Sequence, residues 1–222
     1  MHISEGFLPL SHCVAWGAAS LVPTVVSVRA ISRDLDKKRE NRVLLAASAA
    51  FLFTLSALRM PSITGSSSHP TGTAVGTYLF GPSAMPAMAL VTLVFQALLL
   101  AHGGLTTLGA NITSMGIAGG FSGFLIFHLA KKLGSPLWMA AFLAGMLSDW
   151  ATYATTSVEL ASALHGSGSF LHMFTAVVVS FLPTQLPLGI LEGVVSAGVY
   201  CFIVARRPSL LESLRVRKMV AA

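Results

Sequence analysis

The sequence predicts an all-α, polytopic membrane protein with seven transmembrane helices. Three observations carry that prediction. Apolar residues make up 54% of the 222 positions and charged residues only 10%, against about 25% charged in soluble domains. Mean hydropathy is +0.76. Several apolar runs reach the roughly 18 residues that read as a membrane span, and the basic residues fall between them.

The first run covers 7–30 and tolerates Gly17 and Pro23, as membrane helices do. The Arg/Lys-rich stretch 29–42 follows. It is the densest charge cluster in the chain, and the positive-inside rule makes it cytoplasmic. The N-terminus is then expected outside. A second span, 43–58, returns to an outer Ser/Gly/Pro loop at 61–70, and 83–101 is a clear span. The run 110–130 ends at Lys131-Lys132, so that end is cytoplasmic, and 136–160 crosses outward again.

Parity decides the short stretch 71–80. An odd number of crossings must separate the outer loop near residue 65 from Lys131, so this stretch must cross or nearly cross. The run 170–205 is too long for one straight span at about 1.5 Å per residue through a core of about 30 Å. Pro183 and Pro187 are expected to break it into an outer-face or re-entrant helix (170–182) and a span from about 186. The basic tail from Arg206 is expected to be cytoplasmic. The pairs Ala15/Ala19 and Ala46/Ala50 have the spacing of close helix packing.

Three segments expected to be irregular then share the outer face: 1–6, 61–70 and 102–109. Irregular backbone at depth survives only inside protein or along a cavity. The first segment begins Met1-His2. It lacks the basic stretch of a secretory leader and has Glu5 instead, so residue 1 is expected to be the mature terminus. The Met1 amine, the His2 backbone nitrogen and His2 Nδ1 can close a five- and a six-membered chelate ring, putting three nitrogens in one plane. Such sites suit Ni(II) and Cu(II) and accept other borderline metals. The plane needs one outside donor. His69, fixed before Pro70, is the best placed, and His102 is the alternative. Glu5 is the nearest acid and a possible partner orienting His2. His12 is expected to bond a backbone group, His128 lies on the wrong side, and His165 and His172 flank an outer loop.

Asp149, Glu159 and Glu192 fall in or near apolar runs, where ionisable groups invite a functional reading. A stand-alone secondary transporter would use them as a proton or cation path. The packing reading pairs them with Thr, Arg or backbone. Cys13 and Cys201 have neither metal-site nor disulfide spacing. The chain has no phosphate loop and no H-E-x-x-H motif, so it is not expected to be an enzyme or to hydrolyse ATP itself. Its +6 charge sits between spans, which excludes nucleic acid as the partner.

Four stretches resemble the CbiM/NikM family, the substrate-binding S components of energy-coupling factor (ECF) transporters for cobalt and nickel. They are Met1-His2 with Glu5-Gly6-Phe7-Leu8-Pro9, the loop 65–73, Leu79-Phe80-Gly81-Pro82, and 96–111, which contains His102 and Asn111. Ser4 and Ser67 depart from the Met and Cys associated with the family, and neither change removes a nitrogen. The resemblance implies four ligands: the Met1 amine, the His2 backbone nitrogen, the His2 imidazole and the His69 imidazole. Glu5, His102 and Asn111 would stand behind them. It implies a single membrane domain over 1–222, with a chelating segment 1–6 and one extra helix before a six-helix core from about residue 43. Its implied partners are a membrane-embedded coupling T component, two cytoplasmic ATPases and a small accessory membrane subunit. The loop 65–73 resembles cobalt members more than nickel ones, and cobalt would feed cobalamin synthesis. Both the cell inner membrane location and the absence of any cofactor besides the carried metal follow from the resemblance.

Overall fold

The computed structural model describes residues 2–35, 39–62 and 66–206. Met1, the centre of the basic stretch after the first helix and the basic tail from 207 lie outside the described residues. The chain is a bundle of helices: α1 (Leu10–Leu35), α2 (Arg39–Ala57), α3 (Thr73–Phe80), α4 (Met85–Leu100), α5 (Leu108–Asn111), α6 (Gly120–Lys132), α7 (Leu137–Leu164) and α8 (Phe170–Arg206). A 3-10 turn (Pro82–Ala84) leads into α4, and a π-helical stretch (Ile112–Gly119) joins α5 to α6. Helices are the form that satisfies every backbone group within one apolar segment. Among the described residues, four stretches are long and apolar enough to cross a membrane: Leu10–Arg33, Pro82–Leu100, Leu108–Lys132 and Phe170–Arg206.

The segments at 2–3, 60–61 and 66–68 are more regular than their composition suggests. His2–Ile3, Ser66–Ser68 and Met60–Pro61 form β1, β3 and β2 of a small antiparallel sheet in the order β1-β3-β2. The register sets His2 opposite Ser67 and Ile3 opposite Ser66. Ser/Gly-rich composition marks a loop, but pairing of His2 with Ser67 and of Ile3 with Ser66, far apart in the chain, is a tertiary event. Residues 102–107 remain a loop, as expected.

α3 has 8 residues, about 12 Å of helix. That is well short of a bilayer core of about 30 Å. Thr73 to Leu79 are all buried, so α3 sits inside the bundle, where neighbouring helices shield it. Gly72 starts it in the left-handed region (φ 70°).

α8 corrects the expected break at Pro183 and Pro187. It is one helix of 37 residues running through both prolines. Prolines are tolerated in membrane helices, and side chains bond other carbonyls around these two. Ser180 Oγ donates to Val177 O (2.7 Å), Thr184 Oγ1 to Phe181 O (3.0 Å) and Trp150 Nε1 to Gln185 O (2.9 Å). α7 packs along α8 through glycines that leave no room for a side chain. A Cβ at Gly189 would lie 2.7 Å from Trp150 Cδ1, and one at Gly193 would lie 2.8 Å from Phe142.

The alanine pairs play no such part within the chain, because Ala15, Ala19, Ala46 and Ala50 are exposed. The close approach of α1 is made by Gly17 against Gly109 instead. Cys13 and Cys201 are free thiols. One apolar cluster (Ile3, Leu8, Tyr153, Leu160, Phe181) anchors β1 on α7 and α8, and another (Leu52, Met85, Met88, Met115) fills the space between α2, α4 and the π segment.

Gly189→Val is expected to wedge α7 from α8 and lower stability in detergent by about 1–3 kcal/mol, the usual cost of overpacking. Gly198→Ala meets nothing within 4 Å and should melt like the parent. Equal melting of the two variants would contradict this packing.

Candidate metal centre

β1, the end of β3 and the loop after α4 converge on three histidines. His2 on β1, His69 after β3 and His102 after α4 are 0%, 0% and 2% exposed. One nitrogen from each lies within 4.8 Å of the others, and this is the metal-capable cluster among the described residues. Ring centroids stand 4.4 Å apart for His2–His69, 4.4 Å for His2–His102 and 4.9 Å for His69–His102. The sequence reading put His102 behind the ligands; the structure brings it into the cluster itself.

A chain of hydrogen bonds fixes the tautomer of His2. Ser56 Oγ donates to the Leu52 carbonyl, which can only accept. Ser56 Oγ therefore accepts from Gln96 Nε2, whose other proton goes to Phe53 O (3.3 Å). That turns Gln96 Oε1 towards His2 Nε2 at 2.6 Å. A carbonyl oxygen only accepts, so Nε2 carries the proton and the lone pair sits on Nδ1. Nδ1 is the atom that the six-membered chelate ring requires.

His69 is set the opposite way round. Its Nδ1 donates to Pro70 O (2.9 Å), which leaves the lone pair on Nε2, and Nε2 has no hydrogen-bond partner. Its backbone is clamped by Tyr153. The His69 N–H donates to Tyr153 Oη, and the phenol donates to His69 O, both at 3.1 Å. The next turn is held by Glu192, which accepts from Thr71 Oγ1 (2.7 Å), from the Gly72 N–H (2.9 Å) and from the Thr71 N–H. Glu192 is thus spent on threonine and backbone. Asp149 is buried beside it, and Glu159 is buried further along α7. None of these acids joins the histidines.

Burial holds the His69 imidazole well below its ordinary pKa, helped by His2 and His102. Burial, with the charge of Arg59, brings His102 down to about 3. Both rings are therefore neutral at physiological pH, the state in which imidazole binds metal.

β1 is pinned by Asn111 and Thr107. The Ile3 N–H donates to Asn111 Oδ1 (2.8 Å), Asn111 Nδ2 donates to Ile3 O (3.2 Å), and Thr107 Oγ1 donates to Ile3 O (2.7 Å). Asn111 supports the strand, not an imidazole. Glu5 reaches the loop 102–107 and not His2. It accepts from the Thr106 N–H (3.2 Å) and from the Thr106 hydroxyl, which hold its carboxyl below the usual range. Gly104 packs so tightly on this segment that a Cβ there would meet Glu5 Cα at 2.6 Å.

Of the remaining histidines, His12 bonds the Ser162 carbonyl (3.0 Å), His128 bonds Phe124 O (2.8 Å) and His165 bonds Ala161 O (2.9 Å). The sequence reading missed Gln96 and Tyr153 as positioning residues. A glutamine inside the apolar run 83–101 was the available signal, since polar side chains at that depth need partners.

Fold and cluster together define the class: a helical membrane protein with a buried, all-nitrogen donor site. The chain belongs to the CbiM family, described as the cobalt uptake substrate-specific transmembrane region, which it matches over residues 2–210. It is 47% identical over 220 residues to the cobalt transport protein CbiM of Sorangium cellulosum, covering 99% of this chain and 98% of that one. The CbiM of Streptomyces coelicolor is 45% identical over 217 residues, covering 97% and 94%. Two crystal structures share the fold at 24% identity. One, a transition metal transporter, has a TM-score of 0.83 over 98% of this chain and 100% of that chain. The other, a truncated transition metal transporter, has a TM-score of 0.82 over 92% and 99%.

Asn111→Ala should leave the buried Ile3 N–H and C=O short of partners. The expected cost is about 1–3 kcal/mol, with faster hydrogen exchange at Ile3. Thr113→Ala, which loses only a bond to Gly109 O in its own helix, is the control. An Ile3 amide as protected as in the parent would remove Asn111 from this role.

Proposed function

We propose that this protein is the substrate-capture component of an ATP-driven, ECF-type importer and binds Co(II) from the outer face, supplying cobalamin synthesis. The observation that carries the reading is the convergence of His2, His69 and His102 in a buried cluster free of carboxylates. Nitrogen donors suit borderline transition metals, while Mg, Ca and Mn prefer oxygen. Membership of a cobalt-uptake family supports cobalt. Ni(II) is the alternative cargo, which a planar nitrogen set alone would prefer.

The proposed ligands are the Met1 amine, the His2 amide nitrogen, His2 Nδ1 and His69 Nε2. The His2 tautomer and the open lone pair of His69 support them. The proposed topology has seven crossings, an outer N-terminus and a cytoplasmic C-terminus, with the whole chain as one domain of the cell inner membrane. The basic end of α6, Lys131 and Lys132, supports that orientation, and α3 would complete its crossing inside the bundle. The coupling component, two ATPases and a small accessory subunit would supply the energy. A stand-alone secondary transporter is less well supported, because Glu192 is committed to Thr71 and Gly72.

Metal content of the purified protein tests the site. One residue added before Met1 converts its amine to an amide and should abolish tight binding without altering the melting temperature. His2→Ala and His69→Ala should abolish tight binding too, and His2→Ala should also lower the melting temperature, because Gln96 Oε1 loses its buried partner. Gln96→Leu should lower affinity about 10–100-fold, as losing the partner of a metal-bound histidine does, and His128→Ala should bind normally. Full occupancy in the extended protein would rule out the terminal chelate.

Affinity should also fall with pH. Below about pH 7.7 the amine is protonated, so binding would release one proton from it and one from the amide, a slope of about two. His69 and His102 are already neutral, because their pKa values are depressed. His69 should therefore add nothing to the slope near neutral pH. Steepening below about pH 6.5, where an ordinary histidine titrates, would show that these rings are not held neutral.

A further inference from the structure

The cluster holds one imidazole more than a planar site can use. In the proposed site, the Met1 amine, the His2 amide and His2 Nδ1 take three corners of a plane through two fused chelate rings. One corner remains, and His69 Nε2, buried and without a partner, takes it. His102 is then left over, yet it is built as carefully as the others. It is 2% exposed. Its N–H donates to Gln96 O (3.1 Å), the same glutamine whose side chain sets His2. Ala101 before it takes the left-handed conformation (φ 47°), rare for a residue with a Cβ. Its Nε2 is engaged by Ser67 Oγ at 2.6 Å, and Ser67 lies opposite His2 in the sheet. Its Nδ1 is buried with no hydrogen-bond partner. A buried, unpartnered imidazole nitrogen is costly unless a ligand completes it.

We propose that His102 supplies the fifth, apical nitrogen of the site through Nδ1, oriented by Ser67, and that this donor selects Co(II) over Ni(II). The inference rests on the planar site proposed above. Ni(II) in a strong field of four nitrogens is low-spin d8, with a filled orbital directed along the apical axis, so an apical donor meets repulsion. Low-spin Co(II) is d7 and has a single electron in that orbital, so an apical nitrogen forms a bond. Selectivity between such ions is set by geometry rather than by raw affinity. An apical histidine therefore counters the advantage that a planar nitrogen set gives nickel.

The experiment uses full-length protein with its native N-terminus, loaded without oxygen with Co(II) alone or with equimolar Co(II) and Ni(II). In the electron paramagnetic resonance spectrum of the Co(II) form, one apical nitrogen splits each cobalt line into three. The parent should show the triplet. His102→Ala should keep cobalt, lose the triplet and recover it when free imidazole is added. Its bound Co/Ni ratio in the competition should fall about tenfold or more. His102→Asn, which keeps a polar group facing Ser67, serves if the alanine variant does not fold. A triplet that survives in either folded variant, or an unchanged Co/Ni ratio, overturns the proposal. So does a folded variant that loses both metals equally, since His102 would then be an in-plane ligand. A parent that binds cobalt through His69 but shows no triplet removes the apical role alone. A parent that takes up neither metal removes the planar site with it.

Discussion

The structure depends on burying a polar strand end without orphaning its hydrogen-bonding groups. β1 carries His2 and Ile3 into the bundle at 0% exposure. Unpaired backbone groups at that depth would cost several kcal/mol each, roughly 2–7 by transfer measurements. The chain meets that cost from three directions. Ser67 and Ser66 pair with the strand, Asn111 and Thr107 take both polar groups of Ile3, and Gln96 takes the His2 ring. Each partner arrives on a different element. Burying the strand therefore requires partners on β3, α4 and α5 together.

The same partners prepare the chemistry. Gln96 is oriented by Ser56, and Ser56 by a helix carbonyl, so the His2 lone pair is directed by a one-way chain of donors that ends on α2. Tyr153 and Glu192 act on the other side, holding His69 and the turn after it by their backbone atoms. These two sit on α7 and α8, the most closely packed helix pair. A shift of α8 against α7 would disturb the Thr71-Gly72 turn and hence His69. The histidine cluster therefore reports on the packing of the whole bundle.

Low dielectric around the cluster keeps the His69 and His102 imidazoles uncharged. Three protonated rings within 5 Å would repel one another strongly. Neutral rings whose nitrogens lie within 4.8 Å of one another can instead offer lone pairs to a cation. Burial thus suppresses the competing proton and leaves the nitrogens available.

Apolar runs and charge placement in the sequence determined the helical class and the main apolar segments, and the Met1-His2 start with His69 supplied the expected ligands. Those features are local: a run is apolar or it is not, and a terminal Met-His chelate is defined by adjacent atoms. What only the tertiary structure decided was everything that depends on distant partners. The serine-rich loop became β3 because His2 and Met60 were available to pair with it. Pro183 and Pro187 did not break α8, which runs on through both and packs against Trp150 and Phe142 of α7. Glu5 turned to Thr106, and His102 moved from the periphery into the cluster, because loop 102–107 folds over β1. Residue spacing carries no information about which of several buried polar groups meet. That is fixed only when the helices pack and each group must find a partner.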